Sequence, residues 1–306
     1  MSDDEIAALD GNWEKIQPAD RAAFEFTLKL TRGPHLVNRS DVAALGKHFT
    51  PMQINEITQS VAGYNSTNRW TDTLNIPAEE SGAFFRRTDQ TKPNVELDSF
   101  LTPTSDLFAK QKSSLAPMKA TDSARPPLEP FDALAAHLKL VARRDPVLPL
   151  APGDAEPAWV RLLKTFPVAN KSKISALQAA ETKGKLDLRS KLLVAWTTAR
   201  QDRAWYMLDL IAKRMAAAGI GMDELKRIDS NATTLSDKDR AVITLAQKMA
   251  VAPWTITDTT VAALRAHFRV FQVAEIVMHG CNAAFLDRVT ETAQLPLENH
   301  TALRMP

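Results

Sequence analysis

Cysteine is almost missing from this sequence: Cys281 is the only one in 306 residues. A lone thiol cannot close an intramolecular disulfide, and it leaves neither a Cys-x-x-Cys redox pair nor a cysteine-based zinc site within the chain. A reducing compartment is the expectation. Charge of one sign is lacking too, since 38 basic and 36 acidic residues leave a formal net charge of +2. That balance gives no electrostatic case for nucleic acid, and no Lys/Arg run suggests a membrane surface. No stretch approaches the roughly 20 apolar residues that span a bilayer. The opening "MSDDEIAALD" is acidic and lacks the basic-then-apolar pattern of a secretory signal. The expectation is a cytoplasmic protein with neither nucleic acid nor membrane as partner. What the chain does have is 44% hydrophobic and 24% charged residues, the composition of a globular protein able to bury a core. Its length fits roughly one large or two ordinary domains.

The sequence repeats itself. Asp4 to Glu79 aligns without gaps on Asp223 to Glu298, with about 23 identities in about 76 positions. "DVAALGKHF" (Asp41 to Phe49) falls on "TVAALRAHF" (Thr260 to Phe268), and "QINEI" (Gln53 to Ile57) falls on "QVAEI" (Gln272 to Ile276). Pro34 meets Pro253 and Arg69 meets Arg288. Each copy reads as helices. Ser236-x-x-Asp239 resembles a capping box, and Pro18 suits the first turn of a helix. Asn38 and Thr257 are N-cap types, while His48 and His267 fall near helix C-termini, where a cation is favoured. Gly219-Ile220-Gly221 reads as a helix C-cap, not a phosphate loop.

The copies differ in length. Ahead of Asp223 stand "AWVRLLKTFP", "ISALQAAE" and a long helical stretch from Leu186 to Ala218, whereas only three residues precede Asp4. The front half of the first unit is therefore read as absent from this chain. Between the copies, Pro77 to Pro157 holds eleven of the 18 prolines, which predicts an extended connection. "FDALAAHLKLVARR" (Phe131 to Arg144) is its one strong helical pattern. The division expected is a back-half unit at 1–80, a proline-rich connection at 81–156 with a helix near 131–144, a complete unit at 157–299 and a tail at 300–306.

The order "LDLRSKLLVAW", "AAAGIGMDELKRI", "LSDKDRAVITLAQKMAVAPWTITDTTVAALRAHF" and "VAEIVMHGCNAAFLDRVTETAQLPLE" resembles the carboxymuconolactone decarboxylase and alkylhydroperoxidase D superfamily. It covers Leu186 to Glu298 as a whole unit and Ser2 to Glu79 as the back half of another. The resemblance implies an all-α fold of alkylhydroperoxidase D-like units in tandem, assembly into homo-oligomers, and often peroxide reduction. No cofactor and no metal are expected. In the peroxidase branch a glutamate, a Cys-x-x-Cys pair and a histidine carry the chemistry, because a nearby base lowers the thiol pKa. Counting back from "AAAGIGMDEL" puts those residues at Leu192, Ala204, Met207 and Ile211, all apolar here. With Trp196 and Met215 they read as a core-facing stripe along one helix.

The remaining candidates each admit two readings. Arg200, Gln201, Asp202 and Arg203 form a polar cluster that either braces helices, with Trp205 and Tyr206 beside it, or forms a site. In the site reading Asp202 is a base and Arg200 or Arg203 holds a carboxylate. Glu275, His279 and Asn282 share one helix face, as a hydrogen-bonded network or around a ligand-binding histidine. Cys281 is an inert buried thiol or a one-cysteine peroxidatic site. Arg288 with Glu291, and Arg69 with Asp72, read as i, i+3 links at a helix surface or interface. The leading functional reading is a family member with a degenerate redox site, acting as a structural or regulatory oligomer component. The alternative is an enzyme of altered chemistry that uses Asp202, Arg203, Tyr206 or His279 on a small carboxylated ligand or a peroxide. A third reading makes the chain a piece of a longer peroxidase-like protein.

Overall fold

The computed structural model describes Trp13, residues 16–74, Ile76, and residues 127–153 and 155–298. By contact density the chain divides into two units, residues 1–74 together with 128–306, and residues 75–127. All elements below belong to the first unit, and most of the expected proline-rich connection lies outside the described residues. The described residues are all-α, without a strand. No described helix is long and apolar enough to cross a membrane.

Local chemistry sets the helix starts. α1 (Pro18–Arg32) opens on a proline, with Asp20 in its first turn and Lys29 and Arg32 in its last, as the helix dipole favours. A 3₁₀ turn at Pro34–Leu36 follows. α2 (Arg39–Leu45) is held by Asn38, whose side chain accepts from Ser40 N and Asp41 N, while Asp41 accepts in return from Asn38 N. α3 (Pro51–Thr73) starts with the same reciprocal arrangement between Thr50 and Gln53. The late segment repeats the order. α10 (Asp237–Val251), a 3₁₀ turn at Pro253–Thr255, α11 (Asp258–Arg265) and α12 (Val270–Ala293) begin at the positions aligned with those four elements. Of the capping box expected at Ser236 only one half forms: Ser236 accepts from Asp239 N, but the Asp239 carboxylate is taken by Arg189, and the Thr257 side chain makes no cap bond.

The long helices α3 and α12 form the most extensive helix–helix contact, and the 3₁₀ turn of each segment packs on the long helix of the other. Two aligned arginines act reciprocally between the segments, Arg69 of α3 reaching α10 and Arg288 of α12 reaching α1. Arg69 Nη2 donates to Ala250 O at 3.1 Å, and Arg288 Nη2 donates to Thr31 O at 3.4 Å. Each Nη1 also donates to a carbonyl four residues back, Asn65 O at 3.2 Å and Ala284 O at 2.9 Å.

Among the described residues six helices lie between these segments in sequence: α4 (Phe131–Val141), α5 (Ala158–Lys164), α6 (Pro167–Thr182), α7 (Leu188–Asp202), α8 (Trp205–Ala217) and α9 (Met222–Asp229). α7 packs chiefly on α10 and α12, around buried Leu192, Trp196, Ile243 and Ile276. The stretch read as one helix from Leu186 to Ala218 is in fact two. Arg203 takes the left-handed conformation at φ 51° and ψ 45°, while Ala204 N bonds Ala199 O at 2.9 Å and Arg203 N bonds Arg200 O at 3.2 Å. Those bonds satisfy the last carbonyls of α7, a stop more often built on glycine. Met207, Ile211 and Met215 therefore sit on α8, not on the helix of Leu192 and Trp196. The glycine stop at the end of α8 is as expected: Gly219 has φ 82° and Ile220 N returns to Met215 O at 2.9 Å.

Entry into α7 depends on α12. The Glu275 carboxylate accepts from Lys185 N at 2.8 and 2.9 Å and from Leu186 N at 2.7 Å. The chain passes so close at Gly184, with φ 93°, that a Cβ there would lie 2.5 Å from Glu275 Oε2. Only glycine fits such a position without strain.

Candidate functional site

The first turn of α8 sets the site. Ala204 is its N-cap and Met207 its third residue, both buried. A helix N-terminus is where a thiolate would be stabilised, and here those positions are apolar. Met207 and Ile211 open onto a cavity of about 190 Å³, walled also by Trp159, Leu177, Ala195 and Leu286. Six polar side chains join the lining: Gln178, Glu181 and Thr182 from α6, Arg214 from α8, and His279 and Asn282 from α12.

The charges around this cavity cancel. Arg214 Nη2 is paired with Glu181 Oε2. His279 is 7% exposed, and burial holds its pKa below the usual imidazole value, aided by the positive charges of Lys191 and Arg214 and opposed by Glu181 and Glu275. The ring is neutral at pH 7. Lys191 is engaged elsewhere, donating to the carbonyls of Ala180, Glu181 and Lys183 at 2.9, 3.1 and 2.7 Å. Among the described residues nothing hydrogen-bonds the His279 ring or the Asn282 amide, so the imidazole keeps a free donor and a free acceptor.

The other sequence candidates lie apart from this cavity. Asp202 and Arg288 form an ion pair at 3.0 Å, both side chains fully buried. Arg203 Nε donates to Glu129 Oε1 at 3.0 Å. Tyr206 donates to Glu298 Oε1 at 2.5 Å and accepts from Trp159 N at 3.3 Å; burial and the Glu298 carboxylate push its phenol far above the usual range. Arg200 holds Asp229, which also accepts from Trp196 Nε1 at 3.1 Å. Cys281 is 2% exposed, its thiol pushed up to about 12 by burial. Of Asp202, Arg203, Tyr206, His279 and Cys281, only His279 lines the cavity. Glu275 turns to the α7 entry, so the stripe it shares with His279 and Asn282 is not one network.

Arg288 also departs from its expected partner. It turns to Asp202, and Glu291 pairs with Arg144 at 2.8 Å, because both α12 side chains are buried and take the counter-charges packed against them. Asp287, not foreseen, is buried with neither carboxylate oxygen hydrogen-bonded. Burial first, then the neighbouring Asp202 charge, raises its pKa well above the usual carboxylate value. Glu181 and Arg214 were missed as well. Arg214 lies three residues after Ile211, a spacing that could have placed it on the same face.

A wider groove of about 570 Å³ runs along α3, lined by Glu56, Ser60 and Gly63 with Lys173 and Phe285 opposite. These α3 positions align with Glu275, His279 and Asn282. Among the described residues no group of three or more His, Cys, Asp or Glu side chains is placed to hold a metal ion. The chain matches no protein-family model, no curated protein and no solved structure.

Proposed function

We propose that the chain is a carboxymuconolactone decarboxylase and alkylhydroperoxidase D-like protein with a degenerate redox site, serving as a structural or regulatory component of a homo-oligomer. One observation carries the reading. Met207 and Ile211, where the resemblance implies the second cysteine and the histidine, line one cavity beside the start of α8. On this reading the place of the site persists without its sulfur chemistry. Coincident element starts in the two aligned segments, with the reciprocal arginines, support a tandem duplication. Asp202, Arg203 and Tyr206 are each bound to separate partners, which weighs against their acting as one catalytic group on a carboxylated substrate.

The test is thiol-dependent peroxide consumption by the purified full chain and by Cys281→Ser. Neither is expected to turn over hydrogen peroxide or an organic hydroperoxide above background. Turnover that disappears in Cys281→Ser would reject the degenerate-site reading. Light scattering tests the oligomer: the expected mass is an integer multiple, above one, of 33.8 kDa.

A further inference from the structure

We propose that the cavity between α6, α7, α8 and α12 binds an uncharged ligand the size of a single ring, carrying one hydrogen-bonding substituent directed at His279 and Asn282. It stands on the lining of the cavity, so it goes beyond the degenerate-site reading and does not need the family resemblance.

Size comes first. An apolar cavity of about 150 Å³ takes up benzene, and this one, at about 190 Å³, has space for a ring and a small substituent. Its walls are predominantly hydrophobic, as small-molecule sites are, with a few polar groups to fix orientation. Charge decides the class. A carboxylate entering the cavity would lose its hydration and need a cation with donors to spare, but Arg214 is already paired with Glu181 and the three donors of Lys191 are taken by three carbonyls. The neutral imidazole and the amide of Asn282 instead suit a hydroxyl or an amide, which both donates and accepts. His279 supplies the second observation: it is more than nine-tenths buried, faces the cavity and has no described hydrogen-bond partner. A buried polar group in that state is completed by a ligand or by water. The small carboxylated ligand expected from sequence is disfavoured on the same grounds.

The test uses the full chain labelled at its methionine methyls, the Met207 signal being identified with Met207→Leu. Benzyl alcohol, toluene and benzoate are titrated separately at pH 7.5. Benzyl alcohol is expected to shift the Met207 methyl saturably, with benzoate weaker by at least about tenfold. Benzyl alcohol should also outbind toluene, and His279→Leu should remove that preference while the toluene response remains. Ala195→Phe, which fills the cavity, should abolish all three responses; where that variant does not fold, His279→Leu carries the test. A Met207 signal that answers no probe overturns the proposal, as does benzoate binding equal to or tighter than benzyl alcohol. The peroxide assay is unaffected by either result, so failure here and failure of the degenerate-site reading are separable.

Discussion

Removing the Asp202 carboxylate should be among the most damaging single changes in the protein. Asp202 Oδ2 lies 3.0 Å from Arg288 Nη1, and neither side chain is exposed. At that distance and an effective dielectric constant near 20, the attraction is about 5 kcal/mol before desolvation is counted. Asp202→Ala regains the desolvation of one carboxylate but leaves a guanidinium buried with two carbonyl partners, Ala284 O and Thr31 O, and no partner on Nε. Uncompensated charges of this kind cost about 3–5 kcal/mol, and the two carbonyls place this one near about 3 kcal/mol. For a unit of this size that is a fall of about 6–12 °C in Tm. Urea unfolding at pH 7 measures it, together with Arg288→Met and the double variant. The double variant removes both charges and should recover most of the loss. A loss below about 1 kcal/mol for Asp202→Ala, or a double variant as unstable as the two single losses added, would refute the account of a buried, mutually dependent pair.

Asp287→Asn tests the unpartnered carboxyl. Its folded pKa is raised, so the native state holds the proton more tightly, and stability of the natural protein is lost as pH climbs above the ordinary carboxyl value of 3.8 toward the folded one. The asparagine variant should therefore gain on the natural protein between pH 4 and pH 8 in paired urea titrations; a gap that narrows with rising pH contradicts the assignment. Glu275→Ala should cost about 1–2 kcal/mol, because three bonds to the α7 entry vanish. Glu56→Ala, at the aligned but exposed position, should stay within about 0.5 kcal/mol; equal losses in thermal unfolding would show that the α7 entry is not what Glu275 supports. The Cys281 thiol should label with a chromogenic disulfide only at the rate of unfolding, since it is 2% exposed and its pKa stands at about 12. Fast labelling in native buffer would show it reachable.

Much of the fold was legible because its signals are local. Pro18, Asn38 and Ser236 each sit within four residues of the helix turn they start, and the gapless alignment carried those starts from one segment to the other. What escaped depends on residues far apart in sequence. The break after Asp202 rests on a left-handed arginine, where no glycine signals a stop, and its side chain is anchored by Glu129, 74 residues away. The spacing of Arg288 and Glu291 suggested a pair, but spacing cannot say that both are buried facing different partners. His279 and Asn282 were read correctly as sharing a face, whereas the Glu181–Arg214 pair that cancels the charge beside them joins helices 33 residues apart.

The two aligned long helices separate structural from functional demand. Arg69 and Arg288 are identical and do the same work between the two segments, Arg69 of α3 reaching α10 and Arg288 of α12 reaching α1. On the face that α12 turns toward α7 and α8, identity fades. His279 and Ala283 are 7% and 6% exposed, while their aligned partners Ser60 and Tyr64 are exposed, Tyr64 at 74%. Among the described residues no counterpart of α7 covers that α3 face. A histidine and an alanine suit a covered, mainly apolar cavity wall, whereas serine and tyrosine suit water. Glu56 remains on α3 as the same residue as Glu275, exposed, without a described backbone segment to hold. The cavity is thus built on the covered face alone. Changes at Ser60, Gly63 or Tyr64 should leave it untouched, while changes at the aligned His279, Asn282 or Ala283 should alter what it binds.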